Sequence, residues 1–170
     1  MAHPDQEVWL AQHIPFRLRT CLSGLSLQSE LVATITNENV RDSILYQCLS
    51  DTVWEGRMAS IRWLIEFVGI RDFNGKPGHP KLRKTDVSIS FIQGGKPIDP
   101  SSRDGAFLAS VWNGCSQASG RRTQDKNHPP VDPETLDKAL RIIVRHLKHT
   151  IYSNDPDKLV ALMLARSTNR

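Results

Sequence analysis

Residues 131–149 read Val-Asp-Pro-Glu-Thr-Leu-Asp-Lys-Ala-Leu-Arg-Ile-Ile-Val-Arg-His-Leu-Lys-His, and this stretch decides the fold class. Asp132 is a helix cap, Pro133 suits the first turn, where its missing N–H costs nothing, and Glu134 faces the positive end of the helix dipole. Val131 and Leu136 stand where a hydrophobic staple forms. Leu136, Leu140, Ile143, Leu147 and Ile151 then recur at helical steps. One face is therefore apolar and must be buried against other elements.

The same period extends through most of the chain. From Asp5 to Leu27 the residues Leu10, Ile14, Leu18, Cys21, Leu22 and Leu25 mark one helical face, with Pro15 predicting a kink or restart. Asn37 to Val68 carries Val40, Ile44, Cys48, Leu49, Val53, Met58, Ile61, Leu64, Ile65 and Val68 at three- and four-residue steps. Asn37 stands at its N-cap and Gly69 at its C-cap, and its length predicts a break near Ser50-Asp51 or Gly56. A third helix is predicted over Ser102–Ala118. Asp155-Pro156 repeats the cap logic for a last one over Leu159–Ala165.

Gly69 to Pro100 breaks the pattern, with five glycines and four prolines. Within it, Val87-Ser88-Ile89-Ser90-Phe91 alternates with period two, which predicts a short half-buried strand. Gly94-Gly95 would turn it into a hairpin with Lys96–Ile98. The expectation is a mainly α fold: one helical domain over 1–170, a bundle of about five helices, with a short β-strand or hairpin inserted between the second and third.

At 170 residues the chain suits one domain and buries a core without staples. Cys21, Cys48 and Cys115 are far apart and odd in number, which predicts small core residues and excludes a disulfide framework or a cysteine zinc site. No apolar run reaches the ~18 residues of a membrane span, and no signal sequence is visible at the N-terminus, which points to the cytoplasm. The four tryptophans, Trp9, Trp54, Trp63 and Trp112, read as core, with Trp54 or Trp63 as the anchor should the long second helix mediate self-association.

Twenty-two Lys and Arg against 18 Asp and Glu give a net charge of +4, which permits an acidic partner such as nucleic acid without demanding one. The cations are patterned. Lys138, Arg141, Arg145, Lys148 and His149 form one stripe roughly opposite the apolar face of their helix, with no acidic residue in the stripe. Such a row suits a phosphate backbone, since each phosphate it neutralises releases counterions. The plain alternative is a solvated helix face. Arg71 to Lys84 holds Arg71, Lys76, Lys81, Arg83 and Lys84 against the single acid Asp72, a Gly/Pro-rich loop suited to wrap the same backbone or simply to keep the surface soluble.

Arg121-Arg122-Thr123-Gln124-Asp125-Lys126-Asn127-His128 places an Arg ahead of a His with five residues between them. This resembles the R-x(4–6)-H signature of the HEPN superfamily of small helical bundles, many of them RNA-cleaving and dimeric. The resemblance implies that Arg122 holds a phosphate while His128 assists proton transfer. The chemistry is sound, since a cation stabilises the charged phosphorane and imidazole titrates near neutral pH. Thr123 stands where the family carries Asn, Asp or His, and Pro129-Pro130 places His128 ahead of the next helix.

Other chemistry is excluded by pattern. No nucleotide-binding glycine motif, nucleophile elbow or H-E-x-x-H is present. His146 and His149 lack a third ligand nearby, so neither metal nor cofactor is expected. Ser116, Ser119 and Thr123 have no activating base. Two readings follow. One is a nucleic-acid-binding protein, RNA foremost, with a HEPN-like ribonuclease as its special case. The other is a non-enzymatic interaction or oligomerisation module whose interface includes part of Asn37–Val68.

Overall fold

Gly69 closes the longest helix, and its backbone shows how. The helix Ile44–Phe67 (α2) ends with Gly69 N–H donating to Glu66 C=O and Ile70 N–H donating to Ile65 C=O, both at 3.0 Å, while Gly69 sits at φ +88°. That is a Schellman cap, in which a left-handed residue satisfies the last carbonyls. The computed structural model describes residues 5–22, 44–82, 87–120 and 131–164. Asn37 lies outside them. The break expected near Ser50-Asp51 or Gly56 does not occur: one helix runs from Ile44 to Phe67.

The first helix, 6–22 (α1), is capped by Asp5, whose carboxylate accepts from Glu7 N–H and Val8 N–H. Its middle is a π-helical turn, Trp9–His13, in which Ile14 N–H donates to Trp9 C=O. The expected disturbance at Pro15 thus takes this form. Proline has no N–H to give and its ring crowds the preceding turn, so the turn just before it widens. Ile14, Leu18 and Cys21 are fully buried beyond it.

After α2 the chain forms a two-stranded antiparallel hairpin, Arg71–Phe73 (β1) with Lys76–Gly78 (β2), Phe73 facing Lys76. Asn74 (φ 56°) and Gly75 (φ 83°) make the two-residue turn, the sequence that tolerates positive φ at both corners. The expected insertion between the second and third helices is therefore present, with its strands elsewhere than expected. Val87–Phe91 is no strand. Ser88 caps a single 3-10 turn, Ile89–Phe91, and Phe91 is exposed where alternation required burial. A Cβ on Gly95 would overlap Ile89 C=O, so the chain folds back on itself there instead of pairing with Lys96–Ile98.

Three helices complete the fold: Arg103–Gly120 (α3), Pro133–His149 (α4) and Pro156–Leu164 (α5). Asp132 caps α4 as expected, its carboxylate accepting from Thr135 N–H at 2.7 Å. Asp155 does the same for α5 through Lys158 N–H at 3.1 Å. Helices α2, α3 and α4 pack on one another, and the hairpin lies on α3. The core runs from Ile14 and Leu18 through Leu64 and Leu108 to Leu136, Ile143 and Leu159. Cys21 and Cys115 belong to it. Cys48 does not, being exposed on α2, because the periodic face shared by Met58 and Leu64 does not carry that far toward the helix start. Among the described residues no helix is long and apolar enough to cross a membrane.

Candidate nucleic-acid interface

Burial of Leu136, Ala139, Leu140, Ile142, Ile143 and Leu147 fixes which side of α4 faces outward. Lys138, Arg141, Arg145 and His149 are exposed along that side, with Lys148 half-buried at its edge. The stripe read from helical spacing is thus a surface stripe.

The stripe has neighbours that the spacing within one helix does not reveal. The start of α3 lies alongside it. Arg103, Asp104, Lys138, Arg141, Ile142 and Arg145 line one open groove of about 460 Å³. A second groove shares Asp104, Ile142 and Arg145 with the first and continues to Asp99, Ser102, His146 and His149. Arg103 therefore adds a fifth strong cation beside the stripe. Asp104 adds an acid beside the stripe, from outside α4. Arg145 donates to Asp104 at 2.6 Å, with 61% and 43% of the two side chains exposed. A pair that open is screened by water and contributes little. Asp104 arrives from a different helix and so left no mark in the periodicity of α4.

The cations differ in how far they are committed. Lys138 Nζ stands 4.4 Å from the Phe107 ring centroid, a contact that holds it toward α3. Arg103 and Arg141 are exposed and have no carboxylate partner among the described residues. His149 is tied by its own Nδ1–H to Arg145 C=O at 2.7 Å. His146 donates from Nε2 to Lys96 C=O at 2.6 Å. Its burial holds it below the usual imidazole range, against the opposing pull of the bond to Lys96, and neighbouring His149 pushes the same way as burial. At the near end of this groove Asp99 accepts from Ser101, whose N–H and hydroxyl hold its carboxyl below the usual range.

The second cationic stretch is not the loop expected. Arg71 belongs to β1 and is packed, its guanidinium 4.9 Å over the Trp112 ring and 5.7 Å from Phe73. A β-hairpin on α3 fixes it there. Lys76 and Lys81 are exposed, and neither lines the grooves beside α4. Arg83 and Lys84 lie outside the described residues, as do Arg122 and His128. Among the described residues no three His, Cys, Asp or Glu side chains gather as a metal site requires.

The arrangement can therefore bind anions along one edge of α4 and the start of α3. No protein-family model, curated protein or solved structure matches this chain.

Proposed function

We propose that the face formed by Arg103, Lys138, Arg141 and Arg145 binds the phosphate backbone of nucleic acid, RNA foremost. One observation carries this reading. Arg103 and Arg141, from two different helices, border the same open groove and are held by no carboxylate among the described residues. Four cations and one acid, Asp104, line this groove, and Asp99 lines the one beside it. Lys148 and His149 extend the face, and Lys81, Arg83 and Lys84 remain candidates for further backbone contacts. The resemblance to the HEPN superfamily adds cleavage of the bound RNA by Arg122 and His128.

The test is a fluorescence-anisotropy titration of labelled RNA at stepped salt, with the RNA inspected on a gel afterwards. Affinity should fall steeply with salt, and Arg103→Ala and Arg141→Ala should each reduce the slope of log affinity against log salt by about one. Binding indifferent to both salt and these substitutions refutes the reading. Cleavage that disappears in His128→Ala would establish the nuclease.

The interaction-module reading retains one observation of its own. Val160 and Leu164 stand one turn apart on α5 and are 37% and 76% exposed. Sedimentation at increasing concentration decides it, since a monomer throughout removes self-association.

A further inference from the structure

On the side of the molecule where α1 meets α2, five planar groups follow one another. Trp63 lies on Trp9 with centroids 5.6 Å apart and planes 13° from parallel. His13 rests against the other part of Trp9 at 4.6 Å. Arg17 holds its guanidinium 5.5 Å from the Trp63 centroid and 5.8 Å from that of Phe16. Phe67, only 1% exposed, lies beneath, 5.3 Å from Trp63 and 6.3 Å from Trp9. The outer members are open: Phe16 is 54% exposed, His13 is exposed, and both tryptophans are half-buried.

Ile14, Leu18 and Cys21 already seat α1 in the core. The exposed rings do more than seal a core, and their charge says what they suit. From Val8 to Ser29 the sequence contains no acidic residue, while Arg17 and Arg19 fall within it. Arg17 has no carboxylate partner among the described residues. Exposed rings on either side of a guanidinium fit bases that stack while a neighbouring phosphate is neutralised. Tyr152, three residues past the end of α4, donates its hydroxyl to Leu10 C=O at 2.6 Å, which holds the first turns of α1 near the end of α4.

We propose that Phe16, Arg17, Trp63, Trp9 and His13 form a stacking platform for the bases of single-stranded nucleic acid, whose backbone runs on to the face of α4. The inference rests on the nucleic-acid reading above and narrows it to unpaired strands. In a duplex the bases are already stacked on each other and offer no free face to these rings.

Three probes of equal length separate the two ideas: a single-stranded oligouridine, the same backbone without bases, and a duplex. Wild-type protein should bind oligouridine at least about fivefold more tightly than the abasic strand, the scale of one stacked base. Tryptophan emission should be quenched on binding. Phe16→Ala and His13→Ala, both at exposed positions, should each erode that advantage and leave abasic affinity unchanged. Salt-sensitive binding that is equal for oligouridine, abasic strand and duplex, and indifferent to both substitutions, overturns the platform and leaves the basic face standing. Absence of binding to all three at low salt overturns both.

Discussion

Arg57, 1% exposed in the middle of α2, donates from Nη2 to Asp137 on α4 at 2.5 Å. Its Nε and Nη1 hydrogens meet no acceptor among the described residues. The pair couples two helices across the core, and Asp137 supplies the compensation for a guanidinium that water does not reach. Removing one member of a buried pair leaves the other charge uncompensated. Asp137→Ala strands a guanidinium that is 1% exposed and should lower unfolding stability by about 3–5 kcal/mol, whereas Arg57→Met strands a carboxylate that is 31% exposed and reaches water, and should cost less. Urea unfolding of the two variants checks this. Equal losses in both would show that the Arg57 charge is compensated by something other than Asp137.

The three thiols should separate by reactivity. Burial pushes the Cys21 thiol up to about 12, against the opposing pull of Arg57, and that of Cys115 up to about 11, while Cys48 is exposed. A thiolate is the reacting species, so buried thiols with raised values are inert. Native protein at pH 8 should titrate one thiol promptly with a disulfide reagent, and all three after denaturation. Prompt reaction of two or more in the native state would contradict the burial of Cys21 and Cys115.

His146 predicts a pH effect of definite sign. The fold holds its imidazole below the ordinary value of 6.5, chiefly by burial. As pH falls through 6.5 the unfolded chain therefore takes up a proton before the folded one does. The stability contributed by the neutral ring is complete above that point and is lost as pH drops toward the folded value. Stability of wild type relative to His146→Gln should thus decline between about pH 7 and pH 5. A difference that rises over that range would reverse the assignment.

Two glycines with positive φ should respond unequally to alanine. At Gly69 a Cβ would stand 2.6 Å from Pro97 Cβ, whereas at Gly75 nothing lies within 4 Å. Both substitutions carry the backbone strain of a left-handed residue, of order 1–3 kcal/mol. Gly69→Ala adds a collision with the segment that Ile98 N–H ties to Val68 C=O at 2.9 Å. Thermal melts should rank Gly69→Ala well below Gly75→Ala, and parity would mean that the Pro97 segment gives way freely.

What the sequence discloses tracks how local the cause is. Asp132-Pro133 and Gly69 act on their own turns, and the ends of α4 and α2 follow from them directly. Asn74-Gly75 is equally local, yet it lies among prolines and glycines that read as loop. The alternation at Val87–Phe91 draws the expected strand away from it, although the chain there turns back so that Gly95 lies against the Ile89 backbone, a closeness that only folding creates. For the candidate site, Arg141 and Arg145 are visible from helical spacing alone. Arg103 and Asp104 are not, because they join the groove only when α3 packs beside α4. Arg57 is the hardest case, a full charge whose burial depends on a carboxylate 80 residues away.

The π-helical turn at Trp9–His13 makes α1 a helix of two phases. A widened turn amounts to one residue slipped into the winding, so the residues before it are rotated by about 100° relative to an unbroken helix. Ahead of the slip, Gln6 reaches the Ile89–Phe91 turn, donating to Phe91 C=O and accepting from Gln93 N–H. Behind it, Ile14, Leu18 and Cys21 address the core. Excising one residue between Trp9 and His13 would bring the two halves into step and swing Gln6 off its partners. Point substitutions on either side leave that phase untouched, so this short segment should tolerate changes of side chain far better than changes of length.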